Sequence, residues 1–325
     1  MRPFSFNKSA NITQALTIKK DNTQFIAGGT NLVDLMKKHI AQPENLIDIT
    51  DVLSDKIENT DNGIRIGAMV RNSALTTDNK ILSDYPLIAK ALLAGASAQI
   101  RNMASTGGNL LQRTRCPYFY DVSTPCNKRT PGSGCSALQG DNRMSAIIGY
   151  SEHCVAVHPS DLCVALAALE ARVNIIDKKQ KASVIPFKDF HRLPGSEPHL
   201  DHNLPSHALI TSIDISRNPF NKHCAYLKLR DRDSYAFALV SVAAALHIES
   251  NKIMEARLAS GGVAHKPWRW LASEAYLKGK EPSIEHFAKA AAIAADEVKP
   301  LAGNAFKVPL LKGAIETALQ NCLRN

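Results

Sequence analysis

The sequence predicts an α+β fold divided into two domains, and three observations carry that prediction. Short alternating apolar segments of strand type are interleaved with segments of helical period over roughly the first two thirds of the chain. After "RLASGGVAHKPWR" the pattern is mainly helical. In between, "RNPFN" at 217–221 supplies a linker-like Asn and Pro pair, which sets the expected domains at 1–218 and 219–325. A chain of 325 residues is long enough for each domain to bury a core of its own.

The first 50 residues read as two short strands around a helix. "QFIAGGTNL" enters as an apolar strand and leaves through Gly28, Gly29 and Thr30 into "NLVDLMKKHI", where Leu32, Leu35, Met36 and Ile40 recur at helical spacing and Asn31 or Thr30 is a candidate cap. "NLIDIT" at 45–50 and "IRIGAMV" at 64–70 alternate like strands. "PLIAKALLAGASAQIRN" begins with Pro86, a good first-turn residue, and keeps Leu87, Ile88, Ala91, Leu92 and Gly95 on one helical face. "MASTGGNLLQ" then breaks the helical pattern. From Arg113 to about Tyr150, Gly, Pro, Ser, Asn and Cys dominate without periodicity, and a connection of about 40 residues inside a compact domain is usually functional. "CVAVHPSDLCVALAALEARVNII" reads as strand, turn, helix and strand, and 208–215 and 223–248 add strand signals. Near the end, Leu311, Ala314, Ile315, Ala318, Leu319 and Cys322 form one apolar helical face. No internal repeat is visible.

Composition narrows the class. At 45% hydrophobic and 21% charged residues the chain has the balance of a globular protein. The net charge of +9 comes from 39 basic residues scattered among 30 acidic ones, so no basic stripe argues for nucleic acid. No apolar run is long enough to cross a bilayer, and the start, "MRPFSFNKSANITQAL", lacks the apolar core of an export signal. Seven cysteines, an odd number in a chain this large, argue against a disulfide framework and leave metal ligation or buried free thiols.

Two glycine turns carry the first functional signal. In "AGGTN" the absence of a Cβ at Gly28 and Gly29 lets main-chain N–H groups approach an anion, although a diglycine is more often a simple turn. "STGGN" at 105–109 repeats the pattern after another apolar segment. Two such loops suit a dinucleotide better than either does singly. Neither G-x-G-x-x-G nor the phosphate-loop motif is present. Asp161 in "HPSD" is by default a helix N-cap that could also accept hydrogen bonds from cofactor hydroxyls, and Lys228 in "YLKLRDR" is either a solvated strand lysine or a neighbour of a flavin ring or phosphate.

"FIAGGTNLVDLM", "RNMASTGGNLL", "HPSDLCVALAAL" and "YLKLRDRDSYAFALVSVAAAL", in that order, resemble the FAD-binding middle subunit of the molybdenum hydroxylases, the xanthine dehydrogenase and carbon monoxide dehydrogenase family. "LASGGVAHKPWR" is similar to that family's C-terminal domain, and the likeness is closest to the three-subunit periplasmic aldehyde oxidoreductases. The resemblance implies a two-subdomain FAD-binding domain of the PCMH/VAO type followed by a smaller α/β domain of the CO dehydrogenase flavoprotein type. It implies an FAD site built from Gln24, Phe25, Ile26, Ala27, Gly28, Gly29, Thr30, Asn31 and Leu32, with Ser105, Gly107, Gly108 and Asn109 as a second contact and Asp161 and Lys228 completing the pocket. Its partners would be a small 2Fe-2S subunit and a large molybdenum-cofactor subunit in a heterotrimer. An external electron acceptor follows from the same likeness, and no nucleic acid or membrane span is expected.

The departure from the family lies between the GGN tripeptide and Asp161, at about 110–155, in a cysteine-rich insertion. Cys116, Cys126, Cys135 and Cys154 are separated by 9, 8 and 18 residues, which matches no zinc ribbon or ferredoxin signature, so spacing alone leaves structural zinc and an iron–sulfur cluster open. The resemblance favours the cluster: aldehyde oxidoreductases of this type and hydroxybenzoyl-CoA reductases carry a 4Fe-4S cluster in such an insertion, with these four cysteines as ligands. Cys163, Cys224 and Cys322 fall in apolar patterns and read as small hydrophobes. His199, His202 and His207 lie in a polar loop, where structural or solvent-facing roles are expected.

The expected function is electron transfer from an aldehyde-oxidising molybdenum site through iron–sulfur centres to FAD, then to the acceptor, with no catalytic acid, base or nucleophile in this chain. A reductase of the hydroxybenzoyl-CoA type is the alternative within the family, and a zinc-stabilised nucleic-acid-binding protein the alternative outside it. The resemblance also implies a periplasmic location reached by co-export with a signal-bearing partner, or otherwise the cytoplasm.

Overall fold

The computed structural model describes residues 1–324. Three sheets organise it. The first is parallel, in the order β1 (Ser5–Lys8), β3 (Asn45–Asp48), β2 (Thr23–Ile26), with α1 (Ile12–Ile18) and α2 (Leu32–Lys37) as crossovers. Leu35 and Met36 are buried, whereas Leu32 and Ile40 are only half-buried at the ends of the helical face. The second sheet is antiparallel, in the order β4 (Ile57–Thr60), β5 (Gly63–Gly67), β8 (Leu209–Ser216), β6 (Arg172–Ile176), β7 (Ala182–Pro186). The two short helices α3 (Asn72–Leu75) and α4 (Asn79–Asp84) lead from it into α5 (Pro86–Ala94).

The expected single helix over 86–102 is two helices. After α5 the chain turns at Gly95, and Ser97 caps α6 (Ala98–Met103) by accepting from Ile100 N at 3.3 Å. The break has a tertiary cause: Ala94 O accepts from Lys228 Nζ at 3.2 Å and from Arg230 Nη1 at 2.9 Å, on and just past the end of a distant strand. The GGN tripeptide is also not a turn. Ser105 accepts from Gly108 N at 3.3 Å and starts α7 (Thr106–Leu110), so Gly107, Gly108 and Asn109 are helical. Thr106 N and Gly107 N donate back to Val70 O and Ala68 O at 2.9 and 2.8 Å, which anchors α7 to the chain leaving β5.

Inside the insertion only α8 (Pro117–Tyr120) and one turn of 3₁₀ helix at Ser136–Leu138 are regular. The expected strand at 154–157 does not form. That segment runs as extended coil, with Val155 O accepting from Ala146 N at 2.8 Å, because its neighbours are insertion backbone and not a sheet edge. It leads into α9 (Asp161–Ala168), whose side chains are buried from Leu162 to Ala168, and α10 (Phe187–Phe190) follows β7.

The third sheet is antiparallel, in the order β12 (Trp268–Arg269), β11 (Lys252–Gly261), β10 (Val240–Glu249), β9 (His223–Leu229). Against it pack α11 (Leu271–Leu277), α12 (Ile284–Asp296) and α13 (Lys307–Asn321). All six residues of the expected terminal apolar face are buried there, each large one contributing roughly 2 kcal/mol of burial. Ile147 and Ile148 of the insertion belong to this second core and not to the first. Ile147 N donates to Val263 O at 2.8 Å and Lys299 N to Ile147 O at 2.7 Å, so the insertion is bound to the C-terminal part of the chain at its far end.

Candidate flavin and four-cysteine sites

The loop between β2 and α2 is an anion cradle in the backbone sense. Gln24, Phe25 and Ile26 stand in β2, Ala27 to Thr30 form the loop, and Asn31 and Leu32 open α2. Gly29 has φ of +70°, a left-handed conformation that glycine adopts without strain. None of the amides from Gly28 to Leu32 donates to another protein group among the described residues. Five consecutive free donors at a half-buried turn are what a diphosphate requires. Asn31 holds the N-cap position without making the cap bond; its Oδ1 accepts from Arg113 N at 3.1 Å, and its Nδ2 is buried without a partner.

The two glycine segments touch. A Cβ at Gly28 would stand 1.8 Å from Met103 O and 3.3 Å from Ala104 Cα, so the loop lies directly against the chain that enters α7. On its other side α7 meets α9: Ser160 Oγ donates to Asn109 Oδ1, and Ser160 also accepts from Cys163 N at 3.1 Å. Ser160 is therefore the N-cap of α9, a role the sequence assigns to Asp161. Freed from capping, Asp161 points to the third sheet, where Oδ1 accepts from Tyr226 Oη at 2.6 Å and Oδ2 from Lys228 Nζ at 2.8 Å. Burial, then Asp161, push the Tyr226 hydroxyl well above its ordinary pKa, so it stays a donor.

Asp161 also lines a cavity of about 190 Å³ whose walls include Thr114 and Cys116 of the insertion, Phe237, Ser241 of the third sheet and Gly262 just beyond it. It is larger than the roughly 150 Å³ that accepts a benzene. It suits an aromatic ring system, and the rest of a dinucleotide would run along the backbone cradle. The residues present thus fit FAD: donors for a diphosphate, an acid and a lysine for hydroxyls, and an apolar slot for a ring. Of the residues expected from the resemblance, Asp161 lines the cavity and Lys228 is bonded to Asp161, whereas the Gly107 and Gly108 amides are spent on Ala68 O and Ser105 Oγ, Gln24 is exposed on β2 and Phe25 packs towards the core.

The four insertion cysteines converge. Cys116, Cys126, Cys135 and Cys154 all line one small pocket with Phe119 and Lys128. Cys126 faces Cys135 across an antiparallel bridge, and the turn between them is closed by Asn127 N donating to Gly134 O at 2.6 Å. Amides aim at the sulfurs: those of Phe119 and Tyr118 at Cys116, and that of Ala156 at Cys154 Sγ, at 3.5 Å. Burial raises the Cys116 thiol and pushes Cys154 up to about 12, with Lys128 opposing. A cation inserted here must therefore displace protons. Among the described residues no three of these sulfurs lie within 4.8 Å of one another.

Several residues the sequence did not single out hold these sites together. Lys128 is buried, and its ammonium donates to Pro198 O at 2.8 Å, to Asp201 and to His265 Nε2 at 2.7 Å. Arg113 Nε donates to Asp201 Oδ2 at 2.7 Å. Tyr226 stands two residues before Lys228 on one strand face, a period-two signal that could have been read. Among the described residues only His158, Cys163 and His191 bring three ligand-type atoms within 4.8 Å. His158 Nδ1 accepts from Ser160 N at 3.3 Å, so Nε2 carries the hydrogen, while His191 Nε2 donates to Leu110 O at 2.8 Å. The pair braces the end of α7. Of the loop histidines, His199 is exposed, His207 meets Asp21 at 3.3 Å, and His202 stacks on Phe190; they form no common site.

The fold and the site define a flavin-binding oxidoreductase subunit. The chain belongs to the family described as the FAD binding domain in molybdopterin dehydrogenase, which matches residues 2–217, with the CO dehydrogenase flavoprotein C-terminal domain matching 225–321. Among its relatives, the aldehyde oxidoreductase FAD-binding subunit PaoB of Escherichia coli (strain K12) is 48% identical over 297 residues, covering 91% of this chain and 90% of that protein. The glyceraldehyde dehydrogenase medium chain of Sulfolobus acidocaldarius is 24% identical over 86% of this chain and 82% of its own. The fold is shared with the carbon monoxide dehydrogenase of Hydrogenophaga pseudoflava, at a TM-score of 0.77 and 21% identity over 99% of this chain and 98% of that one. No described helix is long and apolar enough to cross a membrane.

Proposed function

We propose that this chain is the FAD and 4Fe-4S subunit of a molybdenum-dependent aldehyde oxidoreductase. It would receive electrons from aldehyde oxidation on a large molybdenum-cofactor subunit through a small 2Fe-2S subunit, and deliver them from FAD to an external acceptor. FAD supplies the junction between one-electron centres and a one- or two-electron acceptor. The chain's own residues bind and orient: the Gly28–Leu32 amides would take the diphosphate, Asp161 and Lys228 the hydroxyl-bearing chain, and Cys116, Cys126, Cys135 and Cys154 the cluster. In this reading residues 1–218 form the FAD domain, 110–155 its cluster-bearing insertion and 219–325 the C-terminal domain.

The observation that carries the proposal is that the four-cysteine pocket and the flavin cavity share Thr114, Cys116 and Ala156 as walls. A cluster on those sulfurs would stand one residue's thickness from the ring. The aldehyde substrate is proposed from the likeness to PaoB, and the three-subunit assembly and export to the periplasm on a signal-bearing partner from the family resemblance of the sequence motifs. The test is the purified assembly: a flavin spectrum with iron–sulfur absorption, and iron that falls by about four atoms in Cys126→Ser while FAD stays. Stoichiometric zinc, or iron unchanged in that variant, would remove the cluster from the proposal.

A further inference from the structure

The flavin cavity has a backing that no sequence motif announces. Lys307, the first residue of α13, is wholly buried, and its ammonium donates to Ser145 O and to Gly262 O, both at 2.9 Å. Ser145 belongs to the insertion and Gly262 follows β11, and both line the cavity. Asn304, three residues earlier, adds bonds from Nδ2 to Ser145 O and Ala146 O at 3.1 and 3.2 Å. Lys307 is bonded to carbonyls alone. The charged group that acts on it is Arg143 of the insertion, itself paired with Asp231 at 2.8 Å and near Asp141. A buried ammonium without a carboxylate is a costly choice for a clamp that an uncharged amide could provide.

We infer that Lys307 is a positioning residue for the flavin, drawing two walls of the cavity together through Ser145 O and Gly262 O and setting a buried positive charge behind the ring. The inference rests on the reading that the ring occupies this cavity. Because reduction adds negative charge to a flavin, a cation held in a low-dielectric backing raises its potential. Burial first, and Arg143 second, lower the Lys307 pKa to about 7, so the backing charge is present in acid and fades above neutrality. By linkage, reduction strengthens proton binding at Lys307, and the flavin potential falls more steeply with pH across neutrality than it would without the lysine.

The test is a spectroelectrochemical titration of the flavin absorbance in the assembled enzyme, from about pH 6 to about pH 9, for the wild type, Lys307→Met and Lys307→Arg. Lys307→Met is expected to keep FAD, to show a more negative flavin potential below neutrality and to lose the steep segment. Lys307→Arg is expected to hold the higher potential across the range, because a guanidinium does not deprotonate. An unchanged potential and pH profile in Lys307→Met overturns the inference, since a merely structural clamp leaves both alone. Should that variant not accumulate, the wild-type profile decides: no steepening around neutrality overturns the inference equally. Ala238→Phe separates the two failures, because Ala238 lines the same cavity. Full FAD content with an unaltered flavin spectrum in that variant sinks the placement of the ring, whatever Lys307 does.

Discussion

Lys228 Nζ stands 2.8 Å from Asp161 Oδ2, joining a strand of the C-terminal sheet to the first turn of α9 across 67 residues of sequence. Both side chains are nearly buried, at 5% and 10% exposure, so neither is a solvated surface charge. The pair connects the two halves of the chain at the edge of the flavin cavity. Removing one partner of a buried ion pair costs roughly 3 kcal/mol or more, because the other charge is left without compensation. Lys228→Met should therefore lower both the melting temperature and the FAD content. FAD retained at wild-type stoichiometry after dialysis against apoenzyme buffer would show that the pair serves only the fold.

Gly28→Ala should separate the two glycine segments. Its added Cβ would meet Met103 O, a backbone atom with nowhere to move but away. Overpacking of that kind costs about 1–3 kcal/mol, and the larger effect falls on the cradle, whose five donors lose their common focus. The expected outcome is folded protein, by circular dichroism, that purifies with little or no flavin. Gly108→Ala is the milder comparison, since a Cβ there meets only the Ser105 side chain, at 2.9 Å.

Two buried cysteines distinguish ligand from packing. Cys154 lines the four-cysteine pocket, whereas Cys163 sits in the apolar core of α9. Cys154→Ser should lose iron and the broad iron–sulfur absorption; Cys163→Ser should keep both and lose only stability. Equal iron in the two variants contradicts the proposed ligand set.

The buried histidines set the acid limit. Burial, more than any neighbour, lowers His158 to about 3 and His265 to about 4, and holds His191 well below its usual value. In the unfolded chain the same rings take a proton near about pH 6.5. The unfolded state thus binds more protons between those values, so this contribution is whole above about pH 6.5 and is lost as the pH falls through the window. Each ring contributes a slope of about 1.4 kcal/mol per pH unit. Asp201 adds to this only in stronger acid: burial opposes its ionisation, but Lys128 and Arg113 outweigh it and keep its carboxyl below the usual carboxylate range. Urea midpoints measured between about pH 7 and about pH 4 should fall steeply, and His158→Gln should flatten the curve. A midpoint independent of pH over that range would contradict the assignment.

The sites were legible to unequal degrees. "AGGTN" announced a backbone cradle through glycine alone, since the missing Cβ is a property of the residue and needs no context; "STGGN" reads the same way but spends its Thr106, Gly107 and Gly108 amides on Val70 O, Ala68 O and Ser105 Oγ. That the second is a capped helix escaped notice, although Ser105 three residues before Gly108 is a capping pattern. The long helix from Pro86 was misread for a different reason: Lys228 and Arg230 take the carbonyl at which it ends, and they lie more than 130 residues away. Lys307 and Lys128 gave no signal, because a lysine in an amphipathic or loop segment is ordinarily solvated.

By itself the sequence determined the local chemistry of this chain: which turns lack a Cβ, which segments carry an apolar face, and that three thiols crowd one aperiodic stretch. Those properties belong to residue types and their order. Only the tertiary structure decided that Cys154 joins the other three across a span of 18 residues, that Asp161 turns from its helix to a lysine on another sheet, and that a buried ammonium backs the cavity. The physical reason is that burial and convergence depend on where distant segments meet, and the energy of a buried charge or thiol is set by those neighbours and not by its place in the chain.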